Sequence, residues 1–287
     1  MQQHWRCVPG LAPSGRADVI LGIDHVVIAV EDPEAAAAEL EAKLGLLATG
    51  AGRHEALGTF NRLIWLGDSY LELVGVFDRA LAEASWFGPP LLAALERGGG
   101  LATWAVAVDD IEAHLRWAPE SAGLVGPIDG ERTRPDGRSV RWRLARPPEI
   151  SPSSPFLIEH DTAAAEWTPD ERATRAAEEH PVGGRVRLLA LEVENAAPAP
   201  AAGRLRSMLG TSVEPAGRAG VSVHVGPHAV RLVAQRPRGP AGVELIAEIE
   251  MRRRTARLGD CEIRLGGLPP KPVAVPAAEG APGPDPA

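Results

Sequence analysis

The chain has 287 residues, a formal net charge of −8 and 45% apolar residues, a composition typical of a globular protein of one or two domains. The negative charge and the lack of a basic run argue against a nucleic-acid partner. No apolar run reaches the roughly 18–20 residues that cross a bilayer, so no membrane partner is expected. The N-terminal residues show no signal-peptide pattern, and Cys7 and Cys261 have no disulfide-framework spacing, so we expect a cytoplasmic protein.

The N-terminal part of the chain predicts one β-α-β-β-β module. Residues 1–18 carry scattered proline and glycine without periodicity and are expected to form a flexible lead-in. The stretch GIDHVVIAVED predicts a strand with His25 on one face among apolar neighbours. A helix is predicted to begin at Pro33 and to end near Gly45. Three strand candidates follow, at 48–55, 59–67 and 69–77.

The same order of elements then repeats. GLATWAVAVDD (100–110) mirrors the first strand, since both are apolar and end in Val followed by two acidic residues. A helix and three strands follow, which closes a double module over 19–165. Residues 166–184 predict a linker helix, and 185–268 predict a degenerate third module and a truncated fourth one without its helix. The proline- and alanine-rich residues 269–287 predict a disordered tail.

Several short motifs within these modules resemble one known family. Those of the first module are Asp24-His25-Val26-Val27, Arg53-His54, Gly58-Thr59-Phe60-Asn61-Arg62 and Leu71-Glu72-Leu73. Those of the second are Arg134-Pro135-Asp136-Gly137, Trp142 and Pro155-Phe156-Leu157-Ile158-Glu159, with His180-Pro181 after it. Over about 20–185 the chain resembles the glyoxalase-like proteins of the vicinal-oxygen-chelate (glyoxalase, bleomycin resistance and dioxygenase) superfamily. The resemblance implies an α+β fold in which paired β-α-β-β-β modules form a half-open barrel.

The resemblance also implies a site for a divalent metal such as Zn, Ni, Fe or Mn. The family's ligands come from the first and last strands of each module, which here implies His25, Glu72 and Glu159 as ligands. The fourth position falls on Thr103, which is a poor ligand and is assigned to the substrate pocket. The alternative, which stays open, is a metal-free pocket in which His25 and the glutamates are paired by hydrogen bonds.

Other candidate residues belong to the pocket and to proton transfer. Asn61 and Trp65 alternate onto one face of their strand, and Trp142 takes the equivalent face in the second module, which suits a planar or apolar ligand. Core filling is the alternative for each tryptophan. His54 is the candidate base, with Glu159 as a second catalytic candidate. Alternation places His160 on the opposite face from Glu159.

Two further histidines, His224 and His228, flank the turn Gly226-Pro227, and we expect that turn to be exposed to solvent.

Three functions are compatible with these residues. The first is a metal-dependent lyase, isomerase or dioxygenase-type enzyme that acts on a small oxygen-bearing substrate. The second is a metal-free protein that binds and sequesters a small molecule. The third is a partner-binding scaffold on the C-terminal modules. A small-molecule ligand is the expected partner, and assembly into a homodimer is left open.

Overall fold

The structure is a computed structural model that describes residues 20–133, 137–161, 171, 174, 180–216 and 220–268. The predicted lead-in, the predicted tail, the motif residues 134–136 and most of the predicted linker helix lie outside the described residues. None of the helices in the described ranges has both the length and the hydropathy that a bilayer-spanning segment needs.

The first sheet is built by the first two modules. Its strands are β1 (Ile20–Ala29), β2 (Gly50–His54), β3 (Thr59–Leu66), β4 (Ser69–Val76), β5 (Gly100–Val108), β6 (Val125–Thr133), β7 (Ser139–Arg146) and β8 (Phe156–His160). Their order across the sheet is β2-β3-β4-β1-β5-β8-β7-β6. The leading strands β1 and β5 pair antiparallel at the centre, and each pairs in parallel with the last strand of its own module. The sheet curls into the half-barrel that the sequence predicted.

The second sheet repeats this arrangement with the C-terminal modules. Its strands are β9 (Val186–Glu194), β10 (Val213–Ala216), β11 (Gly220–Val225), β12 (His228–Val233), β13 (Ala241–Glu250), β14 (Arg254–Leu258) and β15 (Cys261–Leu268). Their order is β10-β11-β12-β9-β13-β15-β14, again with two leading strands paired antiparallel at the centre. Three residues connect β13 directly to β14, so the fourth module has no helix, as predicted.

Five α-helices accompany the strands within the described residues. They are α1 (Pro33–Leu44), α2 (Arg79–Ala84), α3 (Gly88–Glu96), α4 (Ile111–Trp117) and α5 (Pro198–Leu209). Helix α1 begins at Pro33, as predicted, because the Asp32 side chain accepts hydrogen bonds from the first backbone N–H groups. It ends at Gly45, whose φ of 72° is the left-handed conformation that glycine adopts without strain. The sequence did not predict α2 and α3, which lie between the two modules of the first pair.

The two sheets share one hydrophobic core. Val26 and Ile28, on one face of β1, belong to the same buried cluster as Leu205 of α5 and Ile263 of β15. The opposite face of β1 carries Val27 in a second cluster, which α3 covers. Strand β1 therefore has one face in the shared core and one face towards the concave side of the half-barrel, as its alternation predicted.

The inner strands of the second sheet carry a network of ion pairs. Arg264 on β15 lies 2.8 Å from Glu192 on β9, and Arg231 on β12 bonds to Glu244 on β13. Burial opposes ionisation of Glu192, but its bond to Arg264 and the neighbouring arginines lower the pKa of that carboxyl overall. The C-terminal half thus keeps the strand pattern of the first sheet while presenting paired charges.

A buried histidine connects the second sheet to the start of β1. The Nδ1 atom of His228 accepts a hydrogen bond of 2.9 Å from the backbone N–H of Ile23, and Ser69 Oγ donates to the carbonyl of Ile23 at 2.7 Å. A Cβ atom on Gly22 would lie only 2.9 Å from the His228 ring, so this contact requires glycine. The expectation of an exposed turn was wrong for His228, which is 5% exposed.

This contact predicts a pH dependence of stability. Burial lowers the pKa of His228 below its ordinary value near 6.5, and the charge of Asp68 opposes this effect in part. The unfolded chain then binds more protons than the folded one as the pH falls below about 6.5, so the free energy of unfolding decreases in that direction. The variant His228→Asn, which retains an acceptor without titrating, should show a flatter profile between pH 7 and 5 in chemical denaturation.

His224→Asn is the matched control, because His224 lies in the same hairpin but has a side chain that is 44% exposed. Its profile should follow that of the unmodified protein. Equal pH dependence in all three proteins would contradict the role given to His228.

Candidate functional site

The concave side of the first sheet encloses a cavity with an aromatic lining. Six rings border it, namely Trp65, Tyr70, Trp86, Phe87, Trp142 and Phe156. Its polar lining consists of His25, His54, Asn61, Glu72 and His160. The inner chamber has a volume of about 90 Å³. It adjoins an outer chamber of about 610 Å³ between the edge strands β2 and β6, and the two chambers share His54, Trp86 and Trp142 among their walls.

A chain of hydrogen-bonding side chains lies on one side of the inner chamber. The Asp24 carboxylate accepts from His25 Nδ1 at 2.7 Å, which directs the other ring nitrogen of His25 towards Glu72, 3.7 Å away. Asn61 Nδ2 donates to the second oxygen of Glu72 at 2.5 Å. All four side chains are at least nine-tenths buried. His25 and Glu72 thus share a face of the sheet, and hydrogen bonds compensate their burial.

Asp24 also binds a histidine of the second module. Its second carboxylate oxygen lies 2.9 Å from His160 Nε2. His160 borders the inner chamber, and it lies on the opposite face of β8 from Glu159, as alternation predicted. One buried carboxylate thereby holds imidazoles from β1 and β8, which belong to different modules.

Glu159 lies outside the cavity, contrary to its prediction as a ligand and catalytic residue. The Cα register pairs Val27 with Glu72 in the first module and Ala105 with Phe156 in the second. Phe156 therefore occupies the position equivalent to Glu72, and Glu159 points to the opposite face. There it lies 2.8 Å from Arg143 and accepts a hydrogen bond from the N–H of Ile111 at the start of α4.

Thr103 does not border the chamber either. It is fully buried and pairs with Val27 in the register of β1 and β5. Its Oγ1 makes no hydrogen bond with any described residue. The sequence assigned Thr103 to the substrate pocket, but Thr103 is not among the residues that line the inner chamber.

The donor set does not fit the four-ligand metal site that the resemblance implied. Of the four equivalent positions, the first module supplies His25 and Glu72, whereas the second supplies Thr103 and Phe156. Phenylalanine cannot ligate a metal, and threonine is a poor ligand. Among the residues that the structure describes, no group of three His, Cys, Asp or Glu side chains could hold a metal ion.

The remaining predicted residues line the chambers. Asn61, Trp65 and Trp142 border the inner one, which places them where the alternation predicted. His54 borders both chambers, and its Nδ1 lies 3.1 Å from Thr59 Oγ1. Its role as a base stays a prediction.

Several residues of this lining were not predicted from the sequence. Tyr70 stacks on His25 with 4.7 Å between ring centroids, and alternation with Glu72 could have found it. Trp86 and Phe87 come from the segment around α2 and α3, which carried no recognised signal.

Comparison with known proteins agrees with this architecture. Residues 23–209, more than half of the chain, match the model of a family described as Glyoxalase-like domain. The chain belongs to this family, which confirms its resemblance to the vicinal-oxygen-chelate superfamily. No curated protein matches the chain.

Among solved structures, a hypothetical protein from Staphylococcus aureus is similar with a TM-score of 0.69 and 15% identity, over 86% of this chain and 99% of that one. This likeness shows the fold. A methylmalonyl-CoA epimerase from Mycobacterium tuberculosis has a TM-score of 0.38 and 21% identity, over 52% of this chain and 93% of that one. One from Streptomyces coelicolor, in complex with 2-nitronate-propionyl-CoA, has a TM-score of 0.37 and 20% identity, over 49% and 97%. Scores this low support no conclusion about the site.

The position of Asp24 leads to a prediction about both imidazoles. In Asp24→Asn, His25 and His160 should each lose a charge-assisted hydrogen bond, which costs about 1–3 kcal/mol where a buried group is left unpaired. The ¹⁵N chemical shifts of both rings should change together. His180 is an internal reference, since it bonds to the backbone of Leu47 and Trp65 instead.

Asp161→Asn is the matched control for this experiment. Asp161 directly follows His160, but it pairs with Arg141 at the surface. Its replacement should leave the His25 ring unchanged. A shift of only one imidazole in Asp24→Asn would refute the bridging contact.

Proposed function

We propose that this protein binds a small organic molecule in the half-barrel cavity, with His25 and Glu72 as the polar anchor and without a chelated metal. The observation that carries the proposal is the lining of the inner chamber, where six aromatic rings surround a small number of converging polar groups. Apolar walls with a few fixed hydrogen-bonding groups are the usual composition of ligand pockets.

The geometry of the polar anchor supports binding of a ligand with its own hydrogen-bonding group. Asp24 fixes the orientation of His25, and Asn61 fixes that of Glu72, so neither side chain has to be ordered when a ligand arrives. Trp65 and Trp142 offer ring surface for a planar or apolar body. The outer chamber leaves room for larger substituents.

The donor set supports a role that is independent of metal. His25 and Glu72 are the two good ligands among the four equivalent positions, and one oxygen of Glu72 already accepts a hydrogen bond from Asn61. A metal ion bound by these two side chains would have to find its remaining ligands in solvent or substrate.

A second candidate function is proton transfer on the bound molecule. The contacts among Asp24, His25 and Glu72 favour this function. Asp24 orients the His25 imidazole towards Glu72, so a proton can be held on either His25 or Glu72. Such an enzyme would exchange a hydrogen of its ligand with solvent deuterium, and Glu72→Gln would abolish this exchange. Tight binding without exchange would leave sequestration as the function.

The proposal predicts ligand binding by protein freed of metal. After dialysis against a chelator, small aromatic fragments should still bind in ligand-observed NMR, and Zn, Ni, Mn or Fe(II) should leave the melting temperature unchanged. Trp142→Leu should weaken binding about tenfold by removing ring contacts. Trp117→Leu is the control, since this tryptophan lies on α4 outside the cavity and is 40% exposed.

The competing metal-enzyme hypothesis has a distinct outcome. Protein purified without added metal or chelator would contain one transition metal per chain, and His25→Ala and Glu72→Ala would each lose it. That result would overturn the metal-independent function.

A further inference from the structure

We infer that the ligand of the inner chamber is an organic cation, a protonated or quaternary amine attached to an aromatic or apolar body. This inference rests on the proposed function and adds the chemical class of the ligand. It follows from the aromatic rings and hydrogen-bond acceptors that surround the chambers. It also follows from the absence of arginine and lysine among the described residues that line the inner one.

Aromatic rings are concentrated at the inner chamber. The chain contains seven tryptophans, one tyrosine and four phenylalanines, and half of these twelve rings line this one cavity. Trp65 and Tyr70 have centroids 4.9 Å apart, and Trp86 and Phe156 have centroids 5.3 Å apart, so the walls are made of adjoining rings. The face of an aromatic ring carries partial negative charge and attracts cations, most strongly for tryptophan.

Hydrogen-bond acceptors accompany these rings. One oxygen of Glu72 faces His25 at 3.7 Å, and the Asp24 carboxylate lies directly behind that imidazole. Asn61 donates its Nδ2 to Glu72, and its buried Oδ1 accepts no hydrogen bond from any described residue. An ammonium group supplies N–H donors for Asn61 Oδ1 and for the Glu72 oxygen that faces His25.

Among the residues that the structure describes, no arginine or lysine lines the inner chamber, although the chain has 30 of them. The guanidinium of Arg146 lies 5.8 Å from the Trp86 ring centroid without bordering the cavity. A carboxylate or phosphate ligand would therefore enter a chamber that holds Glu72 and offers no fixed cation. Like charges at short range and low dielectric repel strongly, so anionic ligands are disfavoured.

The outer chamber has the same sign of charge. Among the described residues, its wall carries the three carboxylates of Glu55, Asp129 and Glu131 and the guanidinium of Arg53. Arg53 is already paired with Glu55 at 2.6 Å and lies over the ring of Phe77. The described lining of the outer chamber thus carries a net negative charge, which attracts an approaching cation and raises its local concentration.

Three probes of similar size and different charge test this inference at pH 7. Benzylamine is a cation, benzyl alcohol is neutral and benzoate is an anion. Benzylamine should bind at least about tenfold more tightly than the other two in NMR titrations that follow the His25 ring. Its affinity should decrease as salt is added, whereas that of benzyl alcohol should not.

Variants of acidic residues identify which negative charge produces the preference for a cation. Glu72→Gln should remove most of the preference for benzylamine over benzyl alcohol. Glu39→Gln is the matched control, because Glu39 pairs with Lys43 on the surface of α1. The double variant Asp129→Asn and Glu131→Gln changes only exposed side chains and should reduce the salt dependence. It does not depend on whether the buried Glu72 variant folds.

The possible outcomes separate this inference from the proposed function. Equal or tighter binding of benzyl alcohol or benzoate at the His25 ring would overturn the cationic ligand and leave small-molecule binding intact. If neither the three probes nor any fragment binds in the cavity, the proposed function falls, and the inference falls with it. The expected ranking in the unmodified protein, together with its loss in Glu72→Gln, would establish both.

Discussion

A single buried carboxylate, Asp24, accepts hydrogen bonds from imidazoles on two strands of different modules, 2.7 Å from His25 and 2.9 Å from His160. A buried charge is costly unless its hydrogen-bonding capacity is used, so this carboxylate favours the one arrangement in which both rings reach it. The orientation of His25 towards Glu72 depends on the same contact. The aromatic chamber is thus organised around a polar link between the two halves of one barrel.

The sequence predicted the part of the site that depends on local periodicity. His25 and Glu72 share a face because residues 25–29 and 70–74 alternate between the two faces of the sheet, and the apolar neighbours of Glu72 identify which face is the core. Glu159 was assigned wrongly because its position depends on the register between β5 and β8, which loop conformation and strand irregularities set. A slip of one residue exchanges the two faces of a strand, and alternation within β8 cannot reveal it.

The aromatic wall shows a second limit of sequence reasoning. Trp86 and Phe87 reach the chamber from a segment between the modules, where the repeat offers no equivalent for comparison. In the C-terminal pair of modules, the repeat pattern of the strands was recognisable in the sequence. The ion pairs between its inner strands were not. Glu192 and Arg264 alternate as ordinary polar residues in sequence, and only the folded sheet brings them to 2.8 Å from each other.

The contact between His228 and the backbone of Ile23 has a consequence for how the site responds to dilution. If the second module pair were a separate subunit, this contact would dissociate at low protein concentration. Because both module pairs lie on one chain, the connection between them fixes the effective concentration that each pair experiences of the other. The C-terminal half therefore acts as a permanently attached subunit, and its contact with Ile23 does not depend on protein concentration.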